Sequence, residues 1–162
     1  MTIRNAIFSI AACAIALCAN AQNSVKPAAA PAAAPADCPA AEALKVADLY
    51  GRWYVQIDGE AGGASVQLQK DPDQDDSLVG SITRPATKGQ RDKPALLAGE
   101  VQNGDFNLEE SDDGVRISAT WTGQVVEASC GKEIKGTWTN TTNDMGKDSV
   151  HAFVLRKQAG WQ

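Results

Sequence analysis

Three indoles and one imidazole are the side chains in this chain best suited to chemistry or recognition. Trp53, Trp121 and Trp138 each sit in an alternating apolar and polar stretch, exemplified by ISATWTGQ at residues 117–124. A set of aromatic rings facing one interior can hold a flat or apolar small molecule, with a few polar groups fixing its orientation. The same rings can instead fill a core, each burying roughly 150 to 250 Å². His151, the only histidine, has Asp148 nearby but no nucleophile at any informative spacing. It reads as a partly exposed strand residue.

Other candidates carry less. The acidic pairs Glu109-Glu110 and Asp112-Asp113 flank a turn, where solvated carboxylates are ordinary. General acid–base work would need such groups held in a cleft with shifted pKa values. The stretch DPDQDDS places Asp71, Asp73 and Asp75 at the spacing of a calcium loop, but Asp76 stands where that loop needs glycine and Ile82 where it needs glutamate. Asn140-Thr141-Thr142 is a glycosylation sequon, meaningful only in a eukaryotic secretory pathway. No serine-hydrolase elbow, metalloprotease helix or glycine-rich phosphate loop is present. The expectation is a non-enzymatic protein with no metal and no cofactor.

The positioning elements follow from periodicity. From Trp53 onward the period is two: Trp53, Val55 and Ile57; Val66 and Leu68; Leu78, Gly80 and Ile82; Leu97, Gly99 and Val101; Phe106 and Leu108; Val115, Ile117, Ala119 and Trp121; Ile134, Gly136 and Trp138. Residues 149–157 close the chain with apolar residues on both faces. That is half-buried strand patterning about eight times over. Asn103-Gly104 and Asp113-Gly114 are tight-hairpin signals. Residues 58–63, 71–77 and 140–148 read as longer loops, and nothing after residue 50 reads as a crossover helix. The chain is therefore expected to be all-β, a single eight-stranded antiparallel meander barrel whose closure covers the apolar face and removes edges. A two-sheet β-sandwich is the alternative. Ahead of it, residues 39–48 predict one short helix, with Pro39 at its first turn and Gly51 as its stop.

The ends and the charge bound the setting. Residues 1–21 read as a signal peptide, with a positive start at Arg4, an apolar run over 6–17 and a small-x-small site at Ala19-Asn20-Ala21. A lipoprotein box ending at Cys13 is a rival. The apolar run is too short to span a bilayer of roughly 30 Å. Residues 22–37, containing PAAAPAAAP, read as an extended linker, leaving 38–162 as the domain. Without Arg4 the mature chain carries 14 basic against 20 acidic residues, a net charge of −6. This disfavours nucleic acid and anionic membrane surfaces as partners. Processing leaves Cys38 and Cys130, an even pair that in an oxidising compartment reads first as a disulfide. Two unpaired thiols, or a metal site lacking a histidine companion, are the alternatives. Export to the periplasm or exterior is expected, with weak or no oligomerisation.

The stretches at 49–54 (LYGRWY), 118–124 (SATWTGQ) and 134–138 (IKGTW) resemble the Gly-x-Trp opening and pocket-tryptophan strands of the avidin and streptavidin family, within the wider lipocalin-like, or calycin, group. The resemblance spans about residues 49–157. It implies a small secreted barrel with a pocket lined by Trp53, Trp121 and Trp138. It does not imply biotin. Val55 replaces the family's ureido-binding asparagine, Asp58-Gly59-Glu60 lacks its serine, and Ala119 stands where it has threonine. Thr120 adjoins Trp121 and so points to the opposite face. The last-strand aspartate is missing near His151 and Ala152. The layout of residues 38–53 is also similar to secreted bacterial metalloprotease inhibitors, small disulfide-bonded barrels whose N-terminal segment enters the protease. That resemblance implies a protein partner reached by residues 22–37. A structural envelope protein with a filled core is the third reading.

Overall fold

The computed structural model describes residues 38–86, 94–142 and 149–160. The expected signal peptide and linker, 1–37, lie outside the described residues. Eight antiparallel strands close into one barrel in meander order: β1 (Gly51–Ile57), β2 (Gly63–Lys70), β3 (Leu78–Thr83), β4 (Ala95–Gln102), β5 (Asp105–Ser111), β6 (Ala119–Val125), β7 (Glu133–Asn140) and β8 (Ser149–Lys157). Closure is completed where Val55 of β1 pairs with Leu155 of β8. The architecture expected from period-two patterning is thus the one observed, and the sandwich is not.

Alternation sets the interior. Trp53, Val55 and Ile57 of β1 are buried while Arg52, Tyr54 and Gln56 are exposed. Leu78 and Ile82, Leu97 and Val101, Phe106 and Leu108, Phe153 and Leu155 join the same core. Gly80, Gly99, Gly123 and Gly136 occupy inward positions in their strands. A Cβ at Gly136 would lie 2.1 Å from the Thr122 carbonyl oxygen and 2.4 Å from the Gly123 Cα. Such missing side chains let neighbouring strands coil tightly enough to close a narrow barrel. The β4–β5 hairpin turns on Asn103 and Gly104, with φ of 52° and 84°, the paired positive values of a type I′ turn.

One end of the barrel is capped. Cys38 and Cys130 form a disulfide that fixes the start of the domain to the β6–β7 turn. Ala41 packs against Gly104, and Leu44 against Gly131. Instead of the single helix expected over 39–48, two short 3-10 turns are present, Ala41–Ala43 and Val46–Leu49, separated by extended backbone at Leu44 and Lys45. The reason is geometric. Leu44, Val46 and Leu49 are all buried, and residues two apart in an α-helix point to nearly opposite sides. Lys157 closes the seam, donating to the Asp48 carbonyl and lying 5.5 Å from the Trp53 ring centroid. Among the described residues no helix is long and apolar enough to cross a membrane.

A second correction concerns residues 115–117, expected as inward-facing strand. β6 begins only at Ala119, and Val115 and Ile117 are exposed. The Asp113 carboxylate accepts hydrogen bonds from the backbone N–H groups of Val115 and Arg116, at 2.9 and 2.8 Å. This local bonding replaces the ladder and turns the expected tight hairpin into a seven-residue loop, 112–118.

Candidate functional site at the far end of the barrel

The end opposite the cap is where β1, β3, β5 and β7 finish. Parts of the β3–β4 and β7–β8 connections, 87–93 and 143–148, lie outside the described residues. Here β5 continues its inward series Phe106, Leu108 with a glutamate. Glu110 is 2% exposed, facing into the barrel. This corrects the expectation that the pair Glu109-Glu110 is solvated: Glu109 is, Glu110 is not.

Strand register brings four partners to this carboxylate. Trp121 and Trp138 pair directly across β6 and β7, and both indole Nε1–H groups donate to Glu110 Oε2 at 3.1 Å. Arg84, one residue past β3, grips the carboxylate with two nitrogens, Nη1 to Oε1 at 2.5 Å and Nη2 to Oε2 at 3.2 Å. Its Nε donates to Glu60 at 3.4 Å. The guanidinium also lies 5.5 Å from the Trp138 ring centroid, within cation–π range. Behind the carboxylate, Ser118 donates through both its backbone N–H and its hydroxyl to the Glu110 carbonyl.

An isolated carboxylate in an apolar barrel would be strongly destabilising. A bidentate guanidinium and two N–H donors supply the compensation such a group requires. Burial pulls the Arg84 guanidinium toward easier deprotonation. The hydrogen bond and charge of Glu110, with Glu60 beside them, more than reverse this and hold it above the usual arginine range. No buried side-chain polar atom among the described residues lacks a partner. The result is a rigid, fully bonded polar cluster beneath a hollow of about 220 Å³ lined in part by Arg84, Glu110, Asp112, Trp138 and Asn140.

The three tryptophans named from the sequence all face inward, at 1%, 2% and 7% exposure for Trp53, Trp121 and Trp138. They share one core, but only two of them meet ring to ring. Trp121 and Trp138 meet edge to face, with centroids 6.4 Å apart, and Trp121 also meets Phe153 at 5.0 Å. Trp53 belongs to the capped end, where its Nε1–H donates to the Leu49 carbonyl at 2.8 Å. His151 pairs across from Trp138, its ring 5.8 Å away. Asp71, Asp73 and Asp75 hold no joint position: Asp71 accepts from the Asp73 backbone, and Asp75 pairs with Lys70. Among the described residues no group of three or more His, Cys, Asp or Glu side chains is arranged to hold a metal.

Larger hollows of about 470 and 550 Å³ lie on the outer faces of β1–β3 and β4–β6. Neither is lined by a buried charged side chain. A third, of about 480 Å³ beside Leu96, Val115 and Ile117, has Glu110 in its lining but is mainly apolar and holds none of that carboxylate's partners. The far-end hollow, though smaller, gathers Glu110 with Arg84 and Trp138 and is the better candidate.

No protein-family model matches the chain, and no curated protein matches it. Among solved structures, a redesigned β-barrel is similar at 17% sequence identity, with 70% of this chain and 95% of that chain covered and a TM-score of 0.45.

Proposed function

We propose that this barrel is an exported binding protein that takes a small molecule at its far end, without transforming it. One observation carries the reading: a glutamate 2% exposed, fixed by two indoles and an arginine, directly below a hollow. Buried ionic clusters cost stability relative to apolar packing of the same volume. Their concentration at a concave surface marks a place where recognition outweighs that cost. Trp121 and Trp138 contribute through this cluster, whereas Trp53 supports the reading only by anchoring the opposite cap. The Cys38–Cys130 disulfide fits an oxidising compartment outside the cytosol.

The test is tryptophan emission of the barrel titrated with a panel of small polar and aromatic molecules, in a Trp161→Phe background. Binding at the far end perturbs emission saturably, and Glu110→Gln abolishes or weakens the response. A response unchanged in Glu110→Gln refutes the site.

A second reading, a protein-binding module, is favoured by a different surface. Leu96, Val115 and Ile117 are 55%, 87% and 46% exposed and line a mainly apolar hollow of about 480 Å³. Exposed apolar groups gathered in one place mark interaction surfaces more often than scattered ones do. Val115→Ser with Ile117→Ser weakens a protein partner on this reading, and deletion of residues 22–37 weakens one engaged by the N-terminal arm.

A further inference from the structure

Arg84 differs from the groups it touches in how it is held. Glu110, Trp121 and Trp138 belong to paired strands of the closed sheet. Arg84 stands outside the ladder, one residue after β3 and just before Pro85, with a side chain 29% exposed. The rigid part of the cluster is thus a carboxylate flanked by two indoles, and the cation enters it from a loop. With the arginine side chain taken away, the strands still present an acceptor fork in Glu110 and the open face of Trp138. Glu60 stands where it now meets the Arg84 Nε, and Asp112 lines the same hollow. Carboxylates with an aromatic face are the elements that recognise a planar, delocalised cation.

We infer that the far end of the barrel is a preformed guanidinium site which the protein's own Arg84 occupies, and that its ligand is a small molecule bearing a guanidinium or amidinium group that displaces this arginine. The inference rests on the far-end binding reading for the place where the ligand enters. It adds the ligand's chemical class and makes Arg84 an internal competitor. A guanidinium is favoured over an ammonium because Glu110 is bound through both oxygens by two nitrogens of one planar group, a pattern a point charge does not reproduce.

The experiment uses Arg84→Ala and the probes methylguanidinium and methylammonium at matched ionic strength. Thermal unfolding is followed for the parent barrel, R84A, and the double variant R84A/E110Q. The expected result is a saturable rise in the melting temperature of R84A with methylguanidinium, with an apparent affinity roughly tenfold or more above that for methylammonium. The parent needs much higher concentrations, because its site is filled, and the double variant shows no saturable rise. If R84A does not fold alone, recovery of the folded barrel on refolding with methylguanidinium, but not with methylammonium, gives the same answer. No saturable effect on R84A, equal effects of the two cations, or an equal effect on the double variant overturns the proposal. A parent barrel that takes methylguanidinium at no concentration, beside an R84A that takes it, shows a structural arginine in its own seat and overturns the displacement. A parent that takes methylguanidinium while its response to the panel is unchanged by Glu110→Gln sustains the guanidinium site and defeats the far-end binding reading instead.

Discussion

Removing the Glu110 carboxylate is the perturbation whose size the structure constrains best. In Glu110→Ala the two indole N–H groups of Trp121 and Trp138 lose their acceptor inside the barrel. Each orphaned buried donor costs about 1–3 kcal/mol, and Arg84, being 29% exposed, recovers part of its loss in water. The expected destabilisation is therefore about 2–6 kcal/mol, or a fall in Tm on the order of 10–20 °C for a domain of this size. Glu110→Gln keeps an acceptor for the indoles but gives up the charge and turns an amide N–H toward the Arg84 Nη1 donor; with Arg84 partly solvated it should cost about 1–3 kcal/mol, less than the alanine variant. Glu110→Met combined with Arg84→Met orphans the same two indole donors but fills the space and leaves no unpaired guanidinium, so it should destabilise somewhat less than Glu110→Ala. Urea unfolding of the parent and the three variants measures this. An alanine variant within about 0.5 kcal/mol of the parent, the usual range for surface changes, would show that the carboxylate is solvated and the cluster absent.

Four further outcomes follow from the fold. Reducing the Cys38–Cys130 bridge frees a loop of sequence separation 92 and should lower stability by roughly 4–5 kcal/mol in the chain-entropy picture, read as a shift in the urea midpoint with reductant. Gly136→Ala should prevent closure or cost several kcal/mol, on the order of 3 or more, because its Cβ meets backbone that cannot move aside; circular dichroism and melting of the variant test this. Asp113 is held well below the usual carboxylate range by the backbone N–H groups of Arg116 and Val115. Its contribution is therefore present above the ordinary carboxylate pKa and lost as pH falls through its lower folded value, so Asp113→Asn should flatten the acid limb of stability against pH. Lys157 is pushed below the ordinary lysine range, chiefly by burial, and by Lys132, with Asp48 opposing. The unfolded chain then binds more protons between the two values, so stability gains from this group as pH rises toward 10.5, a gain that Lys157→Met should lack in paired unfolding titrations.

Much of the barrel was legible because closure imposes one rule on every strand. The inward series from Trp53, Leu78, Leu97 and Ile134 each have the phase found in the structure, and Asn103-Gly104 makes the turn its residue types demand. The site was harder to see. The phase of β5 puts Glu110 inside, two places after Leu108, whereas a glutamate next to a turn is ordinarily solvated, so charge and phase point opposite ways. Nothing local marks Arg84, whose partner is 26 residues away and whose position is fixed only by β3–β4–β5 pairing. Residues 115–117 mislead in the opposite way: their apolar alternation continues the strand pattern, while the Asp113 carboxylate captures the backbone of Val115 and Arg116. The expected helix at 39–48 has good helix formers, but burial of Leu44, Val46 and Leu49 together on the cap overrides propensity.

The indole N–H resonances of the 15N-labelled barrel give the most direct measurement. Titrated with a ligand that binds, Trp121 and Trp138 should shift together while Trp53, bonded to Leu49 at the capped end, stays in place. Movement of Trp53 alone, or saturable binding that leaves all of Trp121, Trp138 and the Arg84 side-chain resonances where they were, would contradict a binding site at the far end.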